Sequence, residues 1–241
     1  MLEVVDVTKN FGGMTAVHHV SFKMEGGQIV SIIGPNGAGK TTLFNLISGY
    51  LKPTSGDIIF NTYKITNWRP SRICKKGLTR TFQIVQPFME MNVLENVIVG
   101  ALNCLGTIAE ATDYSLDILK RIGLLERRNQ LAKNLTLAGK KRLELARAIA
   151  TSPVLLMLDE VMAGLTPVES REIIELIKTI HEEQKITILL IEHVLNVIMT
   201  LSDRVIVLDH GEKIAEGTPR EVSQDQKTIE AYLGKKRVWS K

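Results

Sequence analysis

Cysteine is scarce in this chain of 241 residues: Cys74 and Cys104 are the two present. Two cysteines make no disulfide framework, and neither sits in a CxxC or Cys/His spacing that would hold zinc. The expected compartment is therefore a reducing, cytosolic one. Long apolar runs are missing too. No stretch of about 20 apolar residues occurs, so no part of the sequence is expected to span a bilayer. The start, Met1-Leu2-Glu3-Val4-Val5-Asp6, carries acids early and lacks the apolar core of a signal peptide. Any membrane role has to come through a partner. A large excess of charge is also absent. The formal net charge is +4, with acids and bases mixed along the chain. That favours an ordinary solvated surface over a nucleic-acid stripe, and no nucleic acid is expected among the partners. The short Lys235-Lys236-Arg237 cluster reads as a frayed tail, not a membrane anchor. No internal repeat or low-complexity segment breaks the pattern.

What is present is globular. Apolar residues make up 44 % and charged residues 23 % of the chain, a balance that suits a packed protein. The length fits one large domain, or one core with an inserted subdomain, and can bury a substantial core without staples.

Residues 2–8 alternate as a strand would, and a turn at Gly12-Gly13 leads to a second extended stretch over Ala16–Met24. After Glu25-Gly26-Gly27, the β-branched run Gln28–Ile33 reads as a buried strand. A glycine-rich loop follows, then a helix over Thr41–Ser48 ended by Gly49. Lys52–Gly56 is a turn, and Asp57–Asn61 a short strand. The texture changes over roughly 85–150, where helical patterns such as Ser115–Ile122 and Lys140–Thr151 are joined by short loops. This stretch reads as a helical subdomain inserted into an α/β core. The core resumes at the apolar run Val154–Leu158. A helix (Pro167–Glu183), a strand (Ile186–Ile191), a helix (Val194–Leu201) and a strand (Arg204–Leu208) follow. Such alternation predicts a mostly parallel sheet with helices on both faces.

Two motifs carry chemistry. Gly34-Pro35-Asn36-Gly37-Ala38-Gly39-Lys40-Thr41 fits the P-loop pattern, and it stands after a buried strand and before a helix. Glycines let backbone N–H groups turn inward around phosphate oxygens, and the helix N-terminus adds partial positive charge. Lys40 would reach the β- and γ-phosphates of ATP, the Thr41 hydroxyl would ligate Mg²⁺, and Thr42 would stand among the nucleotide-binding residues. The second motif is Val154-Leu155-Leu156-Met157-Leu158-Asp159-Glu160. Its acids emerge at the C-terminal end of a buried strand, where ligands bind in such sheets. Asp159 would hold Mg²⁺ through water, and Glu160 would orient the attacking water and accept its proton.

With these motifs in place the chain resembles the ATPase subunits of ABC transporters over essentially its whole length. The resemblance implies a P-loop NTPase (RecA-like) core with N-terminal antiparallel β elements. The core would cover 1–84 and 151–241, with 85–150 inserted. Thr81-Phe82-Gln83 looks like the family's Q-loop, whose glutamine senses Mg²⁺ and the γ-phosphate; Gln86 is the weaker candidate. Ile191-Glu192-His193 looks like the switch-histidine segment. Phe11 stands where an aromatic stacks on adenine, although a core phenylalanine is the other reading of that residue. The family's Leu-Ser-Gly-Gly-Gln signature is matched by Leu135-Thr136-Leu137-Ala138-Gly139. Here Thr136 keeps a hydroxyl and Ala138 replaces a glycine. Val161 and Thr166 stand where a proline and an aspartate are usual.

Arg80–Gln83, Met91–Val97, Leu158–Leu165 and the ending Glu216–Gly234 look similar to ATPases of branched-chain amino acid importers. That implies a motor driving integral membrane permease subunits and working as a dimer with a second ABC ATPase chain. An extracytoplasmic substrate-binding protein would take part indirectly, and the chain would sit peripherally on the inner face of the cell membrane. Two alternatives are an ATPase of a lipid or lipopolysaccharide exporter and one of a soluble iron–sulfur assembly complex. No Asn-Lys-x-Asp guanine-reading motif occurs, which argues against a GTPase.

Overall fold

The structure, a computed structural model, describes residues 1–233. Gly234 and the Lys235–Arg237 cluster lie outside the described residues. The chain divides into two compact units: one holds Met1–Pro70 and the chain from Leu189 onward, the other Ser71–Ile188.

The first unit opens with a hairpin of β1 (Leu2–Phe11) and β2 (Met14–Met24), with Leu2 opposite Met24 and Phe11 opposite Met14. The alternation read in the sequence reappears as burial: Leu2, Val4 and Val7 are buried, whereas Val5 and Asp6 are exposed. Strand β3 (Ile29–Ile33) is buried at every position, as its run of Ile and Val requires. It feeds the glycine-rich loop and α1 (Lys40–Ile47). Strand β4 (Ser55–Phe60) adds to the free edge of β1, and β5 (Tyr63–Lys64) adds to β4, completing a four-stranded antiparallel sheet.

The second unit follows α2 (Pro70–Cys74) with β6 (Leu78–Arg80), α3 (Val93–Ala101), α4 (Ile108–Ile122) and α5 (Leu137–Ala150). It then holds β7 (Leu155–Asp159), α6 (Pro167–Gln184) and the first residues of β8 (Thr187–Ile191). Strands β6 and β7 are parallel, with Leu78 opposite Leu155 and Arg80 opposite Met157. The helix ends have chemical causes. Asn92 and Glu95 form a reciprocal capping box on α3, and Thr166 and Glu169 form another on α6, where Pro167 takes the first helical position. The helix read as Lys140–Thr151 begins three residues earlier, because the Thr136 hydroxyl accepts the Gly139 N–H at 3.2 Å and caps the first turn.

The first unit resumes with α7 (Leu195–Leu201), β9 (Arg204–Asp209), β10 (Glu212–Gly217), α8 (Pro219–Gln224) and α9 (Gln226–Leu233). Strand β3 runs parallel to β9, with Val30 opposite Arg204, and β10 closes the far edge of β9 antiparallel. Parallel pairing around buried strands, with an antiparallel N-terminal sheet, is the α/β architecture the sequence predicts. The elements that escaped the sequence reading, β5, β6, β10, α2, α8 and α9, have eight residues or fewer.

Helices α3 and α5 approach closely at Gly100, where an added Cβ would lie 2.5 Å from the Arg147 carbonyl oxygen. Alanine ordinarily favours a helix over glycine by about 1 kcal/mol. Forcing two packed helices apart costs about 1–3 kcal/mol. Gly100→Ala is therefore expected to lower the stability by about 1 kcal/mol in a denaturant titration, the overpacking outweighing the propensity gain. A rise in the midpoint would show that α3 and α5 separate without cost.

Candidate functional site

In the first unit the P-loop is shaped by its neighbours. Gly39 has φ +98°, and a Cβ there would stand 2.4 Å from the Ala16 carbonyl oxygen of β2, so only glycine fits. The Ala38 N–H donates to Pro35 O at 3.2 Å, which closes the arc, and the Gly211 N–H in the β9–β10 turn donates to Ala38 O at 3.1 Å. Lys40 is buried, and its ammonium donates to Gly34 O at 2.8 Å and Pro35 O at 2.9 Å. The charge is thus held inside the arc of the loop. Gly34 and Ala38 are buried as well, Pro35, Gly39 and Thr42 are half-buried, and Asn36, Gly37 and Thr41 are exposed.

Phe11, at the end of β1, is 43 % exposed, which removes the core reading and leaves a ring face open to stacking. The Lys9 ammonium lies 5.0 Å from its centroid. His193 follows β8 and lines a cavity of about 340 Å³ with Ile33 and Tyr232. The Tyr232 hydroxyl accepts the Gly34 N–H at 2.8 Å, a contact between α9 and the P-loop that nothing in the sequence pattern announced.

In the second unit the acids stand as the sequence places them, at the end of β7. Asp159 is buried and forms an ion pair with Arg80 at 2.9 Å, with side-chain exposures of 2 % and 6 %. Glu160 sits at φ +48°, and its Oε2 accepts the Gln83 side-chain amide at 2.6 Å. Gln83, not Gln86, reaches the acid. The Lys141 ammonium donates to the carbonyls of Glu160 at 3.2 Å and Gln83 at 3.3 Å. Thr136 and Ala138 form the start of α5, where the first N–H groups have no partner within the helix.

Burial pushes the Asp159 carboxyl above the usual carboxylate range; Arg80 draws it back in part, and Glu160 adds to the rise. Its Oδ1 is buried without a hydrogen-bond partner among the described residues. An orphaned carboxylate oxygen suits Mg²⁺, a hard cation that takes few protein ligands and keeps several waters. No cluster of three or more His, Cys, Asp or Glu able to hold a metal occurs among the described residues. The sequence reading missed Arg80, Lys141, Glu144 and Arg147 as working groups. The signal for the last three was charge at every third position of α5; Arg80, on the three-residue β6, had none. Glu144 is buried, and desolvation raises its carboxyl to about 7 against the Phe82 N–H, Lys141, Arg147 and Arg80, all of which lower it.

A buried strand, a glycine-rich arc around a buried lysine and a helix start define a P-loop nucleotide-binding protein. Residues 17–163 match the ABC transporter family, and residues 212–237 match the branched-chain amino acid ATP-binding cassette transporter family. The chain belongs to the ABC transporter family of ATP-binding proteins. It is 42 % identical to the high-affinity branched-chain amino acid transport ATP-binding protein LivG of Salmonella typhimurium, over 97 % of this chain and 98 % of the relative. BraF of Pseudomonas aeruginosa, described in the same words, is 39 % identical over the same shares. The crystal structure of a nucleotide-free ATP-binding cassette from an ABC transporter superposes with a TM-score of 0.88 at 32 % identity, covering 98 % of this chain and 99 % of that one. A dimeric cassette in a post-hydrolysis state, bound to ADP and phosphate, gives 0.82 at 28 % identity over 91 % and 99 %. No helix among the described residues is long and apolar enough to cross a membrane.

Glu144 makes a pH dependence. Its carboxyl in the folded chain titrates above its unfolded value, so the folded state holds a proton that the unfolded state has released. That contribution is complete below the unfolded value of 4.5 and is lost as the pH rises through about 7. Glu144→Gln removes the titration and keeps an acceptor oxygen for the Phe82 N–H. Relative to wild type the variant should gain stability between pH 5 and 8, by about 3 kcal/mol at most. Denaturation curves at the two pH values check this; a constant difference would place the ionised carboxylate at no cost in the fold.

Proposed function

We propose that this chain is the ATP-hydrolysing motor of an importer for branched-chain or related amino acids. The observation that carries the reading is the 42 % identity across 97 % of the chain to a branched-chain amino acid transport ATP-binding protein. The match at residues 212–237 supports it from a separate segment.

The roles follow from the chemistry of each residue. The loop Gly34–Thr42 binds the triphosphate through the Lys40 ammonium and through those backbone N–H groups not already paired within the fold. In doing so Lys40 exchanges the carbonyls of Gly34 and Pro35 for phosphate oxygens. Phe11 stacks on adenine. Thr41, Gln83 and, through water, Asp159 hold Mg²⁺, which when bound neutralises charge on the phosphoryl oxygens. Glu160 orients the attacking water and takes its proton, while Gln83 fixes its carboxylate. His193 contacts the γ-phosphate. Thr136 and Ala138, at the start of α5, meet the γ-phosphate held by a second ABC ATPase chain. The dimeric cassette with ADP and phosphate supports pairing of this kind.

Closure on ATP then moves integral membrane permease subunits, supplied with solute by an extracytoplasmic substrate-binding protein. The chain sits peripherally on the inner face of the membrane. Residues 85–150 form the inserted helical subdomain between core segments 1–84 and 151–241. Phe88 and Met89, 44 % and 39 % exposed, offer apolar surface for a permease helix.

Two substitutions test the reading. Glu160→Gln keeps the shape and removes the proton acceptor. Hydrolysis should fall about 10²-fold or more while nucleotide binding stays, and an ATP-bound dimer should accumulate on size-exclusion chromatography. Near wild-type turnover would remove Glu160 from the role of base. Ala138→Asp places a like charge beside the triphosphate, a repulsion of roughly 4 kcal/mol at 4 Å and an effective dielectric of about 20. ATP-driven dimerisation and hydrolysis should be lost while ATP binding to the monomer persists; a variant that dimerises and turns over normally would take the signature segment out of the site.

A further inference from the structure

The stretch from Phe82 to Phe88 lies outside every helix and strand, yet one helix holds it at point after point. Lys141, Glu144 and Arg147 stand three residues apart on α5, so their side chains follow one stripe of the helix over successive turns. Glu144 accepts the Phe82 N–H at 3.0 Å. Lys141 donates to the Gln83 carbonyl at 3.3 Å. Arg147 donates to the Gln86 carbonyl at 2.8 Å, and its guanidinium lies 4.6 Å from the centroid of the Phe88 ring.

Each hydrogen bond joins a side chain of α5 to the backbone of the segment. The ladder therefore fixes the path of the segment whatever side chains the segment carries. Lys141 and Glu144 are buried, and Arg147 is half-buried with its guanidinium lowered below its usual range by desolvation. A solvated helix face would not bury these charges, because desolvating them costs several kcal/mol each unless the bonds return it. The far end of the segment is pinned separately. Asn96 of α3, fully buried, accepts the Phe88 N–H at 2.8 Å and donates to the Phe88 carbonyl at 3.0 Å.

Lys141 adds a second anchor. Its ammonium also reaches the Glu160 carbonyl at 3.2 Å, so the residue that holds Gln83 also holds the end of β7. The two ends of α5's stripe thus differ in what they meet. The N-terminal end lies beside Thr136–Gly139, and the C-terminal end lies under Phe88.

We infer that Lys141, Glu144 and Arg147 are positioning residues that make the segment 82–88 move as one body with α5. Displacement of the α5 N-terminus is then carried to Gln83 and to the exposed Phe88 ring. The inference rests on the proposed function for what touches the two ends, the second chain's nucleotide and the permease.

Amide hydrogen exchange on the full chain, read by mass spectrometry with and without Mg-ATP, tests it. In Arg147→Ala and Glu144→Ala, exchange over 82–88 should rise by about tenfold or more, while α5 and β7 keep wild-type protection. The change that Mg-ATP induces over 82–88 in the wild type should vanish. Glu144→Gln keeps an acceptor oxygen for the Phe82 N–H and should restore the wild-type pattern. Turnover gives a second readout. Hydrolysis should fall about tenfold in both alanine variants, because Gln83 loses its place beside Glu160, and Glu144→Gln should restore it. Wild-type exchange over 82–88 in both alanine variants would overturn the inference. So would a rise spread evenly over the chain, which marks a general packing role. If membrane subunits fail to stimulate the wild type, the importer reading fails, and the exchange pattern still decides the ladder.

Discussion

A carboxylate at the end of a fully buried strand must be paired, solvated or protonated. Asp159 meets that constraint through Arg80, and much of the second unit's polar structure follows from the pairing. Strands β6 and β7 are parallel with Arg80 opposite Met157, two residues before Asp159 and on the same face. A slip of one residue would turn Arg80 to the other face and leave a buried charge alone. The ion pair therefore sets the register of a strand only three residues long. With β6 in register, the chain leaves it at Thr81, whose hydroxyl accepts the Asp159 N–H at 3.2 Å, and Gln83 arrives at Glu160.

The same accounting explains the charged stripe of α5. The sheet ends at Arg80, so the backbone of 82–88 has no ladder, and its Phe82 N–H and its Gln83 and Gln86 carbonyls take other partners. Glu144, Lys141 and Arg147 supply them. The cost appears at Glu144, whose carboxyl is held at about 7 by burial. Polar groups in a low-dielectric interior stabilise one arrangement strongly and tolerate others poorly. Here that arrangement holds the loop that carries Gln83.

The first unit solves a different problem with the same means. Lys40 places its ammonium in a buried position, where the carbonyls of Gly34 and Pro35 accept from it. Those carbonyls are neutral acceptors, whereas a phosphate oxygen adds the attraction of opposite charges to the hydrogen bond. The loop is thereby preorganised: its lysine is already inside the arc, and its backbone is braced by β2, by the β9–β10 turn and by Tyr232 of α9.

Much of this was legible in the residues. Buried strands such as Ile29–Ile33 and Leu155–Asp159 declare themselves by continuous apolar composition, and α6 by the helical pattern that follows Pro167. The P-loop is a local device, a glycine arc between a strand and a helix, so its pattern survives reading in one dimension. The acids at the end of β7 are local in the same sense. What the sequence could not announce is non-local. Strand β6 has three residues, too few for any period to show, and it exists because Arg80 meets Asp159 across 79 positions of chain. The choice of Gln83 over Gln86 depends on where Glu160 lies, and the Tyr232 contact joins residues 198 positions apart. Composition and spacing determined the class of protein and the place of its glycine arc, because those depend on neighbours along the chain. The tertiary structure alone decided which charges are buried, because burial and pairing are properties of residues brought together from distant parts of the sequence.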